Sequence, residues 1–230
     1  MKLIGLIGGI SWESSVEYYR HINRTVAERL GGLHSGRVVL YSVDFDEIEK
    51  AQYDGRWDDA AEVLADAGQA LVRAGAEILL VCANTMHKVA NKIEERAGLK
   101  LLHIGDVTGQ AIVKQGLKTV GLLGTRFTME EQFLRGMLEE RFNLRVLVPD
   151  KEDRETVNRI IYEELCKGKI EASSREAYVE VIDRLVQKGA EGIILGCTEI
   201  PLLIGPEHVN VPLFDTTALH AQAAVDQALS

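Results

Sequence analysis

Residues 4–9 read Ile4-Gly5-Leu6-Ile7-Gly8-Gly9, and residues 120–125 read Val120-Gly121-Leu122-Leu123-Gly124-Thr125. Each is a short apolar run closed by small residues, the pattern of a buried strand that turns sharply at its end. Two further matches occur in the same order. Gly75-Ala76-Glu77 opens an apolar run, and so does Gly189-Ala190-Glu191; Ile104-Gly105-Asp106-Val107-Thr108 is answered by Leu213-Phe214-Asp215-Thr216-Thr217. The nearly constant spacing of the three matches makes the chain a duplicated half of roughly 110 residues.

Outward from these segments, strand-like runs alternate with amphipathic helical patterns. The runs are Lys2–Ile7, Arg37–Val43, Glu77–Cys82, Leu101–Ile104, Thr119–Leu123, Arg145–Val148, Glu191–Gly196 and Val211–Phe214. Helical stripes fall on Trp57, Ala61, Leu64, Gly68, Leu71 and Val72, and on Tyr178, Val181, Ile182, Leu185 and Val186. A third stripe, Val16, Tyr19, Ile22, Val26 and Leu30, is closed by Gly31-Gly32, and all three read as core-facing. This is an α/β chain of two pseudo-symmetric α/β lobes with mostly parallel sheets. The expected lobes are residues 1–105 plus 216–230, and residues 106–215.

In open α/β sheets, ligands bind beyond the carboxyl ends of the strands. The expectation is therefore an active site in the cleft between the lobes, built from four strand-end loops. They are Gly8-Gly9-Ile10-Ser11, Cys82-Ala83-Asn84-Thr85, Gly124-Thr125-Arg126 and Gly196-Cys197-Thr198-Glu199. Their hydroxyls, amides and N–H groups suit a small carboxylate.

The 230 residues are 46% hydrophobic and 27% charged, ordinary for a folded domain and unlike a disordered chain. A formal charge of −9 argues against nucleic acid or an anionic membrane as partner. No apolar run approaches the ~20 residues of a membrane helix, and the opening Met1-Lys2-Leu3-Ile4-Gly5 reads as a strand with no leader pattern, so a cytoplasmic location is expected. There is no GxxxxGK[ST], and residues 5–9 lack a full GxGxxG. The histidines show no metal-ligand spacing, and no metal is expected. Three cysteines, Cys82, Cys166 and Cys197, offer neither a disulfide framework nor a CxxC knuckle.

The repeat distinguishes the thiols. Cys197 lies six residues beyond Glu191, and six beyond Glu77 lies Ala83; Cys82 matches Gly196 instead. A one-residue slip along a strand reverses the side a residue faces, so Cys82 and Cys197 are expected on opposite sides. Cys197 precedes Thr198-Glu199 and an expected helix start, where a thiol is more acidic than its unperturbed value of about 8.5. On local grounds a nucleophile or carbon base and a buried structural thiol both fit. Cys166, on the helix carrying Val157, Ile160, Ile161 and Leu165, reads as core, and so does Cys82. His87 fits either a place near the ligand or a helix cap, and Arg126 either a carboxylate partner or a solvated side chain.

Gly8-Gly9-Ile10-Ser11-Trp12-Glu13-Ser14, Asn84-Thr85-Met86-His87 and Gly196-Cys197-Thr198-Glu199-Ile200 together resemble the aspartate/glutamate racemase family over essentially the whole chain. The resemblance implies a cofactor-independent amino-acid racemase, a homodimer, in which one thiolate takes the α-proton and a second thiol returns a proton on the other face. It implies substrate contacts at Ile10, Gln52, Asn84, Thr85, Thr125, Thr198 and Glu199, with Cys197 catalytic. The substrate it implies is aspartate or glutamate, or a broader set of amino acids. The chain departs from the family at one place. The usual Cys-Asn-Thr reads Ala83-Asn84-Thr85, so the first acid/base position holds a methyl group. Relatives can carry threonine there, but alanine has no proton to give, so impaired activity is expected, whether Ala83 is natural or substituted. Two other readings remain: a non-catalytic amino-acid binding protein on the same scaffold, and a one-cysteine decarboxylase of the arylmalonate type.

Overall fold

A computed structural model describes all 230 residues, which divide into two compact units. The first comprises Met1–His103 with His220–Ser230, and the second Ile104–Leu219. No helix is long and apolar enough to cross a membrane.

In the first unit the chain runs β1 (Ile4–Gly8), α1 (Trp12–Leu30), β2 (Val38–Ser42), α2 (Phe45–Tyr53), α3 (Trp57–Arg73), β3 (Ile78–Val81), a 3-10 turn at Thr85–Val89 and α4 (Ala90–Ala97). Its sheet has the order β2-β1-β3, all parallel, with Leu101 bridging in parallel to Leu79 at the fourth place. The second unit runs α5 (Ile104–Lys114), β4 (Thr119–Gly124), α6 (Arg126–Glu130), α7 (Gln132–Phe142), β5 (Arg145–Leu147), α8 (Lys151–Glu163), α9 (Ala172–Gln187), β6 (Ile193–Gly196) and β7 (Leu213–Asp215). Its sheet order, β5-β4-β6-β7, repeats the first with the fourth strand complete. Helix α10 (Thr216–Leu229) comes after β7, and its residues from His220 onward belong to the first unit.

The registers match residue for residue. Ile7 pairs with Val81 in one sheet and Leu123 with Leu195 in the other, as the offsets of the sequence repeat require. Helix packing repeats too. A side chain on Gly5 would meet Ala76 Cβ at 2.8 Å and Leu71 Cβ at 3.3 Å; one on Gly121 would meet Ile193 Cδ1 at 2.6 Å and Leu185 Cβ at 3.5 Å. Leu71 of α3 and Leu185 of α9 are repeat partners, so both glycines let a helix lie close against the central strand.

Alternation along each strand sorts the cores. Ile7, Val81 and Ala83 share one cluster with α3, whereas Ile4, Leu6, Leu80 and Cys82 share another with α1 and α10. In the second unit, Leu123, Leu195 and Cys197 share a cluster with α8 and α9, and Val120, Leu122 and Ile194 lie in the other. Cys82 and Ala83 thus lie on opposite faces of their sheet.

Two expectations need correction. The run Leu101–Ile104 is a single bridge rather than a strand, because Ile104 already begins α5 and the Leu102 carbonyl accepts from His220 Nε2 at 2.6 Å. The stripe on α1 is also rotated. Its buried side is Ser14, Ser15, Tyr18, Ile22 and Val26, while Val16, Tyr19 and Leu30 are exposed. Serine takes the inner positions because the β1–α1 turn needs its hydroxyls. Ser15 Oγ accepts from the Gly9 N–H at 2.8 Å, and the hydroxyls of Ser14 and Ser15 each donate to the Ser11 carbonyl at 3.0 Å.

Candidate active site

In the first unit the strand ends are β1, leading into Gly9, and β3, leading into Cys82-Ala83-Asn84. Gly9 sits at φ +89°, and a side chain there would lie 2.2 Å from the Val43 carbonyl oxygen, so only glycine closes this turn. Ile10, beyond it, is buried in one cluster with Ala51, Ala83 and Met86. Gln52, on the last turn of α2, is 3% exposed. Its Nε2 meets Met86 Sδ at 2.9 Å, and its buried Oε1 has no hydrogen-bond partner. A buried amide oxygen without a donor costs about 1–3 kcal/mol, the kind of cost an interior site bears when it serves a ligand. Asn84 and Thr85 are buried where the 3-10 turn begins.

His87 is buried in the same turn, and its Nδ1 donates to the Ala83 carbonyl at 2.8 Å. It packs edge-on against His103, ring centroids 4.6 Å apart, and lies 5.8 Å from His220. His220 Nε2 faces a carbonyl, which can only accept, so Nε2 carries the proton and Nδ1 accepts from Tyr18 Oη at 2.8 Å. Burial holds His220 neutral, with its pKa lowered to about 3. Burial, then the neighbouring His103 and His220, push His87 well below its ordinary range as well. His87 is therefore a neutral clamp on the Ala83 backbone. Nothing in local sequence could reveal this cluster, because Tyr18 and His220 stand 202 residues apart.

In the second unit, Thr125 caps α6, its Oγ1 accepting from the Thr128 N–H at 3.3 Å. Arg126 is exposed beside the Phe127 ring, its backbone N–H held by Asn158 Oδ1 at 2.7 Å. Cys197, at the end of β6, is 6% exposed. Its Sγ–H donates to Glu199 Oε2 at 2.9 Å, and Thr198 Oγ1 donates to the same oxygen at 2.9 Å. Glu199 is 2% exposed. Three consecutive residues form a buried thiol–carboxylate–hydroxyl group.

This arrangement corrects the expectation of an acidic thiol. Glu199 leads into a three-residue 3-10 turn, Ile200–Leu202, with no α-helix behind it to lend a dipole. Burial first, and then the Glu199 charge, push the Cys197 thiol well above its ordinary value. Cys82 is raised by burial alone. Cys166 lies beyond α8 in the turn Leu165–Lys167, half-buried against the cluster that holds Cys197. No group of three His, Cys, Asp or Glu side chains is placed to hold a metal ion.

A model of the Asp/Glu/hydantoin racemase family matches residues 7–224. Among solved structures, the chain is similar to a Yersinia pestis protein assigned as an Asp/Glu racemase, at 56% identity, 100% coverage of both chains and a TM-score of 0.92. It is likewise similar to an aspartate racemase homologue from Pyrococcus horikoshii, at 35% identity, 100% coverage of both and a TM-score of 0.87. A broad-specificity amino-acid racemase of Bacillus subtilis is 22% identical over 188 residues, 82% of this chain and 75% of that one.

Proposed function

Because the chain belongs to the Asp/Glu/hydantoin racemase family, we propose that it is an isomerase that moves the α-proton of an amino acid without a cofactor, Cys197 being the base. The single observation carrying this reading is the Cys197–Glu199 pair, a buried thiol with a proton acceptor 2.9 Å away. At rest the proton stays on sulfur, because burial and the nearby carboxylate both disfavour a thiolate. The same surroundings make the thiolate, once formed, a stronger base, which suits the weakly acidic α-carbon of an amino acid. The substrate's ammonium brings the positive charge that the pair lacks. Glu199 then accepts the thiol proton, and the thiolate takes the proton from the α-carbon, leaving its electron pair in an enediolate.

Asn84, Thr85, Thr125 and Thr198 supply the hydrogen-bond donors for that charge, and Ile10 and Gln52 complete the substrate contacts. The substrates we propose are aspartate and glutamate, with neutral amino acids admitted in a broader-specificity form. The working unit is a homodimer, and a thiol with this role belongs in the reducing cytoplasm.

Inversion needs a second acid on the opposite face of the substrate. The repeat puts that role at Ala83, a methyl group, so we propose that proton exchange outruns inversion. The methyl at position 83 also favours a second reading, an amino-acid binding protein that performs no proton transfer. Incubation of each enantiomer of aspartate and glutamate in deuterated buffer separates the two. The first reading expects α-deuterium incorporation that Cys197→Ala lowers by ~10²–10⁴-fold. Binding by calorimetry with no deuterium incorporated would leave the second.

A further inference from the structure

Large apolar side chains stand in solvent on the α1 side of the first unit. Trp12 (61% exposed), Val16, Tyr19 (56%) and Leu30 lie on α1, Leu33 in the connection after it and Leu40 on β2. Leu40 belongs to this side, since Leu40 and Ser15 of α1 both crowd the place where a Gly8 side chain would stand. β2 is an edge strand whose only partner is β1. Such a concentration of aromatic and aliphatic surface marks an interaction site.

Sequence spacing gives the surface its form. Trp12, Val16, Tyr19 and Asn23 follow one another at steps of four, three and four residues and Leu30 lies seven beyond Asn23, the seam on which one helix packs lengthwise against another, while Val26 between them is buried in the core. Along one flank of this seam the charges are divided. Glu13 and Glu17 occupy the N-terminal half, and Arg20 and Arg24 the C-terminal half. Arg20 and Glu17 already pair within the helix.

We infer that the α1 seam docks a second copy of this chain, the two α1 helices running antiparallel across a two-fold axis. Two-fold pairing brings the same flank of both helices together with direction reversed. The Glu13–Glu17 half of one helix then faces the Arg20–Arg24 half of the other, on both sides of the axis. The division also answers a difficulty of the whole molecule, since copies carrying −9 each repel at long range and need local charge cancellation where they meet. Trp12 and Tyr19 are the residue types that anchor such contacts. The inference rests on the homodimer reading above and assigns it a surface.

Sedimentation velocity and light scattering on the full chain provide the test. The wild type is expected to be a dimer at micromolar concentration, and Tyr19→Glu a monomer with an unchanged circular-dichroism spectrum. The double variant Arg20→Glu/Arg24→Glu weakens the dimer by at least about tenfold, and adding Glu13→Arg/Glu17→Arg restores it. That charge exchange decides the matter if Tyr19→Glu fails to fold. A monomeric wild type overturns both the homodimer reading and this surface. A dimer indifferent to the charge variants overturns the surface alone.

Discussion

The ends of β3 and β6 hold equivalent places in two sheets of the same order and register, yet one presents a methyl group and the other a thiol. Around Ala83 the surroundings are neutral: His87 is clamped to the Ala83 carbonyl, and His220 is held uncharged between Tyr18 and Leu102. Around Cys197 they are ionic, with Glu199 buried and accepting from both Sγ and Thr198. Duplication supplied two copies of one backbone frame, and side chains gave the copies different chemistry. The difference teaches that the repeated scaffold fixes where a strand-end side chain stands, while its neighbours set the charge and hydrogen bonds it meets.

Acid should separate the two units most strongly. His220 has a pKa near 3 when folded and about 6.5 when unfolded, so between these values the unfolded chain binds the extra proton. Its contribution is present in full above pH 6.5 and is lost as pH falls towards 3, a change on the order of several kcal/mol. His87, shifted the same way, adds to it. Hydrogen exchange followed by mass spectrometry between pH 7 and 4 should therefore show β1 and β3 losing protection before β4 and β6. Equal loss in both sheets would remove the claimed asymmetry.

Glu199→Gln tests the ionic side of the comparison. Removing the carboxylate takes away the proton acceptor, so α-proton exchange is expected to fall by roughly 10²-fold. It also removes a like charge, so the Cys197 thiol, followed by its thiolate absorbance, should titrate at lower pH. Unchanged exchange would show that Glu199 does not serve the thiol.

The smallest effect concerns packing. A methyl at Gly5 meets Ala76 Cβ at 2.8 Å, an atom fixed to the backbone, whereas one at Gly121 first meets the movable end of Ile193. Gly5→Ala should cost about 1–3 kcal/mol, and Gly121→Ala less, by urea denaturation. The reverse order would mean that the backbone-fixed Ala76 Cβ gives way more readily than the end of Ile193.

Much of the fold is legible in the residues. The repeat offsets anticipate the strand registers, and the one-residue slip anticipates that Cys82 takes the sheet face opposite to that of Ala83, the position equivalent to Cys197. Apolar periodicity succeeds on α3 and α9, whose inner residues only pack. It fails on α1, where Ser14 and Ser15 turn inward to bond the β1–α1 turn and leave Val16 and Tyr19 outside. The thiol's environment is hidden for a different reason. Whether a short motif after a strand becomes a helix or a tight turn depends on long-range packing, and the turn sets Glu199 against Cys197. Gln52 enters through resemblance; its meeting with Met86 and its unpartnered oxygen belong to tertiary structure.

The direct test of the central claim restores the missing group at the equivalent position. Ala83→Cys should raise the rate of inversion of aspartate or glutamate by at least ~10²-fold over the parent chain, bringing inversion level with α-deuterium incorporation. Incorporation that continues without any gain in inversion would contradict it, and position 83 would not be the catalytic counterpart of Cys197.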